Sequence, residues 1–285
     1  MTPFGARLDA AMSAHGPLCV GIDPHAALLD AWGLPDDAAG LRRFALTVLE
    51  AVAGRVAAVK PQSAFFERHG AAGVAVLEEV VAAGRDTGTL VVVDAKRGDI
   101  GSTMGAYADA YLRDGSPLAG DALTVSPYLG FGSLAPAVEA AHATGRGLFV
   151  LALTSNPEGP AVQHARDAEG VAVADRVARE AAVANAAELA ATGGALGSVG
   201  LVVGATVGDA AERLGVDLAA VRGPLLAPGV GAQGAGPAEL AAVFGAARPA
   251  VLASSSRGVL AAGPSVAGLR EAALRAAGEA GAALR

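Results

Sequence analysis

LVVVDAKRGDIGST, residues 90–103, is the stretch on which the fold turns. Its opening four residues are aliphatic without a polar interruption, whereas a strand buried on one face only would alternate. An unbroken run of this kind is expected of a parallel strand covered on both faces. Seven further runs share the form: LCVGID (18–23), VAAVKP (56–61), ALTVSP (122–127), LFVLALTSN (148–156), VGLVVGAT (199–206), PLLAPGVG (224–231) and AVLASSSRG (250–258). Turn residues bound each run, and helix-like segments rich in Ala, Leu, Val, Glu and Arg lie between them. Asp37–Val52, Val74–Ala83, Asp167–Thr192 and the final Ser265–Arg285 have the apolar spacing of amphipathic helices. Eight strands alternating with helices predict an α/β fold, a single (β/α)8 TIM barrel over residues 1–285. A doubly wound open sheet in two domains is the structural alternative. No linker divides the chain, and the glycine-rich Thr192–Ser198 leads straight into the sixth run.

The composition excludes several classes of function. Of the 285 residues, 53% are hydrophobic and 17% charged, the reverse of a disordered chain. No apolar run reaches the roughly 18 residues of a membrane span. Residues 1–9 carry Arg7 and Asp9 and no apolar stretch, so a secretory signal is not expected. The one cysteine, Cys19, cannot form an internal disulfide, which points to a cytoplasmic protein and to a small core residue. A net charge of −7 argues against nucleic acid or an anionic membrane as partner.

Of the 21 basic residues only two are lysines, Lys60 and Lys96. A compositional bias toward Arg replaces Lys wherever either serves, but guanidinium is planar and does not give up its proton. The two retained lysines are therefore candidates for chemistry. In a barrel the active site lies at the C-terminal strand ends, and both lysines fall there. Strand one ends in Asp23, strand two in Lys60, strand three in Asp94 and Lys96, strand four in Ser126 and strand eight in Arg257; strand seven opens into Gly229 and Gly231. Asp94 and Lys96 are two apart and share a face, and the acid favours the charged amine. A structural ion pair plugging the barrel is the alternative, although an alternating charge array is costly to desolvate without a use. GVGAQG (229–234) fits a dinucleotide-binding pattern, but it lies late in the chain and no acid follows about 20 residues on. Loops after strands seven and eight commonly form a phosphate site, for which Gly229 and Gly231 allow close approach and Arg257 a bidentate clamp.

Asp94, Lys96 and Asp99 form a D-x-K-x-x-D pattern that resembles the orotidine 5′-phosphate decarboxylase family. So do GIDPH (21–25), KPQSAFFE (60–67), TVSPYLG (124–130) and APGVGAQG (227–234), while DPH and WGLP within 23–35 resemble its longer bacterial subgroup, type 2. The resemblance implies decarboxylation of orotidine 5′-phosphate to uridine 5′-phosphate with no metal and no organic cofactor. Lys96 would stabilise the carbanion at pyrimidine carbon 6 and protonate it, held by Asp94. Asp23 and Lys60 match positions that hold the ribose hydroxyls, Ser126 one that reads the pyrimidine amide edge, and Gln233 one that reaches over the phosphate toward the base. Asp99 and Thr103 match residues that enter the neighbouring active site of a homodimer. His25 fits a supporting or surface role, and Asn156 is given none.

Three rival functions remain at this point. A magnesium-dependent sugar-phosphate decarboxylase or epimerase of the same superfamily carries a metal-binding acid where this chain has Lys60. A class I aldolase requires a lysine of lowered pKa in an apolar pocket, whereas Lys96 lies among acids. The third rival is a non-catalytic nucleotide-binding barrel.

Overall fold

The computed structural model describes residues 1–230 and 234–285. Eight parallel strands close into a barrel in sequence order: β1 (Leu18–Ile22), β2 (Ala58–Pro61), β3 (Leu90–Arg97), β4 (Ala122–Val125), β5 (Gly147–Leu153), β6 (Val199–Val203), β7 (Leu225–Pro228) and β8 (Val251–Ser255). β8 pairs back onto β1, with Leu18 opposite Ala253. The helices are α1 (Phe4–His15), α2 (Ala26–Ala31), α3 (Ala38–Val52), α4 (Ser63–Glu67), α5 (Gly70–Thr87), α6 (Gly101–Leu112) and α7 (Ala135–Thr144). They continue with α8 (Pro160–Gln163), α9 (Val173–Thr192), α10 (Ala210–Leu214), α11 (Pro237–Phe244), α12 (Arg257–Leu260) and α13 (Val266–Ala283).

Period-two geometry divides each strand between two cores. Val20, Val91, Val93, Leu123, Leu201 and Leu225 face outward and pack under the helices. Cys19, Ala58, Val92, Ala122, Phe149 and Leu226 face inward and fill the barrel. Both faces are apolar until the strands near their C-terminal ends, which is why the strands read as unbroken runs. The helices follow from equally local causes. In α3 the apolar Leu41, Phe44, Ala45, Val48, Leu49 and Val52 recur at helical spacing and are buried, and the Asp37 carboxylate caps the start through the amides of Ala39 (3.0 Å) and Gly40 (2.9 Å). Gly88 and Gly193 end α5 and α9 in the left-handed conformation.

One helix departs from the sequence expectation. The helix expected from Asp167 begins only at Val173. The Asp167 carboxylate instead accepts the amides of Glu169 (3.0 Å) and Val171 (2.9 Å), forming a turn, and also pairs with Arg176 of α9. At the N-terminus, α1 plugs the bottom of the barrel. Its Phe4 meets Phe149 edge to face, with ring centres 5.9 Å apart. A side chain at Gly147 would overlap that ring, since a Cβ there lies 2.1 Å from it. Burying the phenylalanine contributes roughly 1.5–3 kcal/mol. Arg7 ties the plug to Asp121 and to the Gly145 carbonyl (3.0 Å), while Asp121 also accepts the Val91 amide (2.9 Å). The wall opposite the plug is therefore the open mouth.

Candidate active site

The inward positions at the mouth carry charge where the layers below carry methyl groups. Lys60, on β2, and Asp94, on β3, are 6% and 7% exposed, and the Lys60 ammonium lies 2.7 Å from Asp94 Oδ2. Lys96 donates to the other oxygen, Oδ1, at 2.6 Å. Two residues not singled out from the sequence complete the set. The Thr124 hydroxyl donates to Asp94 Oδ1 (2.8 Å), and the same oxygen of Thr124 accepts the Lys96 amide (2.9 Å). With its amide nitrogen facing Asp94, Gln62 donates to the Asp94 carbonyl (2.5 Å) and to Oδ2 (3.2 Å). Each carboxylate oxygen thus accepts two donors, which saturates it.

Electrostatics follow from this packing. Burial opposes the charge on Asp94, but Lys60 and Lys96 together hold its pKa down at about 2. Burial also opposes the charge on Lys60, yet Asp94 and Asp23 outweigh it and keep the amine above its ordinary value. Beneath them burial pushes the Cys19 thiol up to about 12, so Cys19 is a neutral packing atom and not a nucleophile. Lys96 differs from the buried pair, because 43% of its side chain is exposed and its ammonium faces the open mouth. Its backbone has φ +46°, a left-handed conformation that costs a residue bearing a Cβ about 1–2 kcal/mol. The chain turns there, and Gly98 then passes so close to β4 that a Cβ would lie 2.4 Å from the Ser126 carbonyl.

The remaining expected residues lie around the same mouth without joining this cluster. Asp23 follows β1, and its Oδ1 is buried with no hydrogen-bond partner among the described residues. Ser126 follows β4, half-buried, its amide donating to the Arg97 carbonyl (2.8 Å). Asp99 accepts the Ile100 amide (2.8 Å), and Thr103 is exposed on the first turn of α6. Gly229, at φ +90°, follows β7, and its carbonyl accepts the Ala235 amide (2.8 Å), closing that loop. Gly231 and Gln233 lie outside the described residues. Arg257 does not end β8 as expected. The strand stops at Ser255, and the Ser256 carbonyl takes the amides of Val259 and Leu260, so Arg257 opens α12 and is exposed. Asn156 bonds Thr154 (2.7 Å) and Glu158 (2.9 Å) within the loop after β5, and His25 packs near Phe65.

A lysine–carboxylate–lysine array lies at the C-terminal mouth of a closed (β/α)8 barrel, the end at which barrel enzymes hold their active sites. A model of the orotidine 5′-phosphate decarboxylase / HUMPS family matches residues 16–272, and the chain belongs to that family. It is 61% identical over 284 residues to the Salinispora arenicola orotidine 5′-phosphate decarboxylase, covering 100% of this chain and 99% of the relative. The Streptomyces coelicolor enzyme of the same name is 61% identical over 279 residues, covering 98% and 97%. Among solved structures, a family member from Streptomyces avermitilis superposes with a TM-score of 0.93 at 61% identity, covering 100% and 96%. The Leishmania donovani OMP decarboxylase gives 0.77 at 32% identity, covering 99% of each chain.

Proposed function

We propose that this protein decarboxylates orotidine 5′-phosphate to uridine 5′-phosphate, the last step of uridine 5′-phosphate formation, using no metal and no organic cofactor. The observation that carries this reading is the saturated Asp94 carboxylate between two ammonium groups, one buried and one facing the mouth. As the bond from pyrimidine carbon 6 to the carboxylate breaks, its electron pair stays on carbon 6 and carbon dioxide leaves. Lys96 stabilises that charge and passes its proton to carbon 6, then regains one from solvent. Asp94 holds the Lys96 ammonium in place through its hydrogen bond. Phosphate and ribose contacts add nothing to the chemistry directly, but their binding energy drives closure and desolvation around the reacting atoms.

Arg257 and the loop containing Gly229, Gly231 and Gln233 would take the phosphate. The unpartnered Asp23 Oδ1 suits a ribose hydroxyl, with Lys60 beside it. Ser126 and the exposed Ser155, at the ends of neighbouring strands β4 and β5, offer hydroxyls to the pyrimidine amide edge. Lys60 also bears on the magnesium-dependent alternative, since an ammonium stands where that chemistry places a metal-binding acid.

The assembly we infer is a homodimer with shared sites. Neither Asp99 nor Thr103 bonds to its own barrel's lysine–aspartate cluster. Ile100, next to Asp99 in the chain, and Tyr128 and Leu129 in the loop after β4 are exposed at 61%, 76% and 54%, apolar side chains that a second copy could cover. An open groove of about 600 Å³ runs between α6 and α7, lined by Ser102, Gly105, Ala106, Pro136 and Glu139 among others. Among the described residues no helix is long and apolar enough to cross a membrane. The single buried cysteine fits the reducing cytoplasm.

The test is turnover of orotidine 5′-phosphate in excess chelator. Undiminished conversion to uridine 5′-phosphate is expected. Turnover that collapses with chelator and returns with magnesium would favour the metal-dependent reading, and binding without turnover would favour the non-catalytic one.

A further inference from the structure

Arg97 directly follows Lys96, yet its side chain leaves β3 on the outer face and lies between α4 and α6. Its guanidinium sits over the rings of Tyr107 and Tyr111, 5.5 and 5.6 Å from their centres. It donates to the Tyr111 hydroxyl (3.1 Å) and pairs with Glu67, which also accepts the Ser63 hydroxyl. Its carbonyl accepts the Ser126 amide at 2.8 Å. Side chain and main chain are therefore held by Glu67, Tyr111 and Ser126, none of which bonds to Asp94 itself.

Lys96 stands between that anchor and the cluster. Its left-handed backbone persists only if both sides are held. On the barrel side Thr124 holds its amide and Asp94 its ammonium. On the other side the next fixed point is Arg97. The strand register makes this concrete. Val93 pairs with Leu123 and Arg97 with Val125, so Asp94, Ala95 and Lys96 oppose Thr124 alone. Arg97 closes this bulge. The geometry points to Arg97 as the positioning residue that keeps Lys96 in its turn and its ammonium on Asp94. The side chains of Arg97 and Glu67 are 26% and 39% exposed, and such a pair contributes little to stability by itself. A planar guanidinium between two rings and two acceptors is also a shape that lysine does not reproduce.

This role rests on the proposed decarboxylase activity, and the chain's composition supplies a test with two independent readouts. Only Lys60 and Lys96 would give signals in protein labelled with 13C-lysine, and Lys96→Arg assigns them. Arg97→Met keeps an apolar stem between the tyrosines and removes the fork. It should lower kcat about 10–100-fold, the scale of an ångström-sized misplacement, with KM within about threefold. The Lys96 side-chain resonances should move toward those of free lysine while those of Lys60 stay. Arg97→Lys should not restore either property, and Tyr111→Phe should show a smaller shift in the same direction. An inactive wild-type protein that still shows the Lys96 shift in Arg97→Met would refute the decarboxylase reading and leave the positioning role intact. Wild-type resonances in Arg97→Met, or a kcat within about threefold of an active wild type, would overturn the positioning role. If Arg97→Met fails to fold, unchanged kcat and Lys96 resonances in folded Glu67→Gln and Tyr111→Phe would overturn it equally.

Discussion

Asp94→Asn would remove one negative charge from between two ammoniums while keeping the side chain's shape. In the native protein Asp94 and Lys60 are almost fully buried and their charged atoms lie 2.7 Å apart. At an effective dielectric of about 20 that separation gives an attraction of about 6 kcal/mol, set against several kcal/mol of desolvation for each ion. The intact pair contributes little net stability for that reason. Removing one partner leaves the other buried and uncompensated, which costs about 3–5 kcal/mol. The variant should lose about that much in urea unfolding at pH 7 with an unchanged m-value, and should not turn over substrate.

The pH dependence gives the sharper test. Burial is the largest influence on Lys60, and without Asp94 only the more distant Asp23 among its carboxylate partners opposes it. The folded pKa of Lys60 should then fall below its unfolded value. The unfolded chain would bind more protons, so the variant's stability should rise as pH climbs from 7 toward the ordinary lysine range. The wild-type protein should show the opposite limb. Asp94 titrates at about 2 when folded, against a free value of 3.8. Its contribution, about 2 kcal/mol, is present above pH ~4 and is lost as pH falls toward 2. Urea midpoints between pH 2 and 9 measure both. A deficit below about 1 kcal/mol at pH 7, or a variant deficit flat from pH 7 to 9, would refute the buried-charge account.

Lys96→Arg keeps the charge but removes the transferable proton, so turnover should fall below about a hundredth of wild type while a uridine 5′-phosphate analogue still binds; a higher residual rate would remove Lys96 as general acid. Arg257→Ala should weaken binding of orotidine 5′-phosphate and slow turnover at subsaturating substrate, with little effect on the slow reaction of orotidine, and equal damage to both would make Arg257 structural. Refolding inactive Lys96→Ala and Asp99→Ala chains together should restore about a quarter of the sites, because about half the dimers are mixed and each holds one site free of both defects. Activity no higher than either parent, with mixed dimers demonstrated, would confine Asp99 to its own barrel.

The architecture was legible in the sequence because two-sided burial writes itself directly into the chain. A strand covered by helices outside and by side chains inside cannot alternate, so all eight strands stand out as apolar runs near their true positions. The charge cluster was legible for a related reason. In a chain that uses arginine nearly everywhere, Lys60 and Lys96 stand out, and both contact Asp94. Where local hydrogen bonds competed with the pattern of runs and spacings, the sequence misled. The Asp167 carboxylate made a turn, and the Ser256 carbonyl turned Arg257 into a helix.

What the tertiary structure alone decided is relative level and relative face. Thr124 and Gln62 stand in plain view beside Ser126 and Lys60, but their contact with Asp94 depends on register between strands far apart in sequence. Val92 pairs with Ala122, which brings Asp94 level with Thr124 two residues on, and Gln62 bridges directly to Asp94. The plugging of the barrel by α1 likewise depends on Gly147 leaving room for a ring that arrives from 143 residues earlier. The left-handed turn at Lys96 is of the same kind. Its own residue type disfavours that conformation, and it holds because Thr124, Asp94 and the partners of Arg97 meet around it from four different elements. Local sequence sets which side chains a strand can offer; the closed sheet sets which of them face one another.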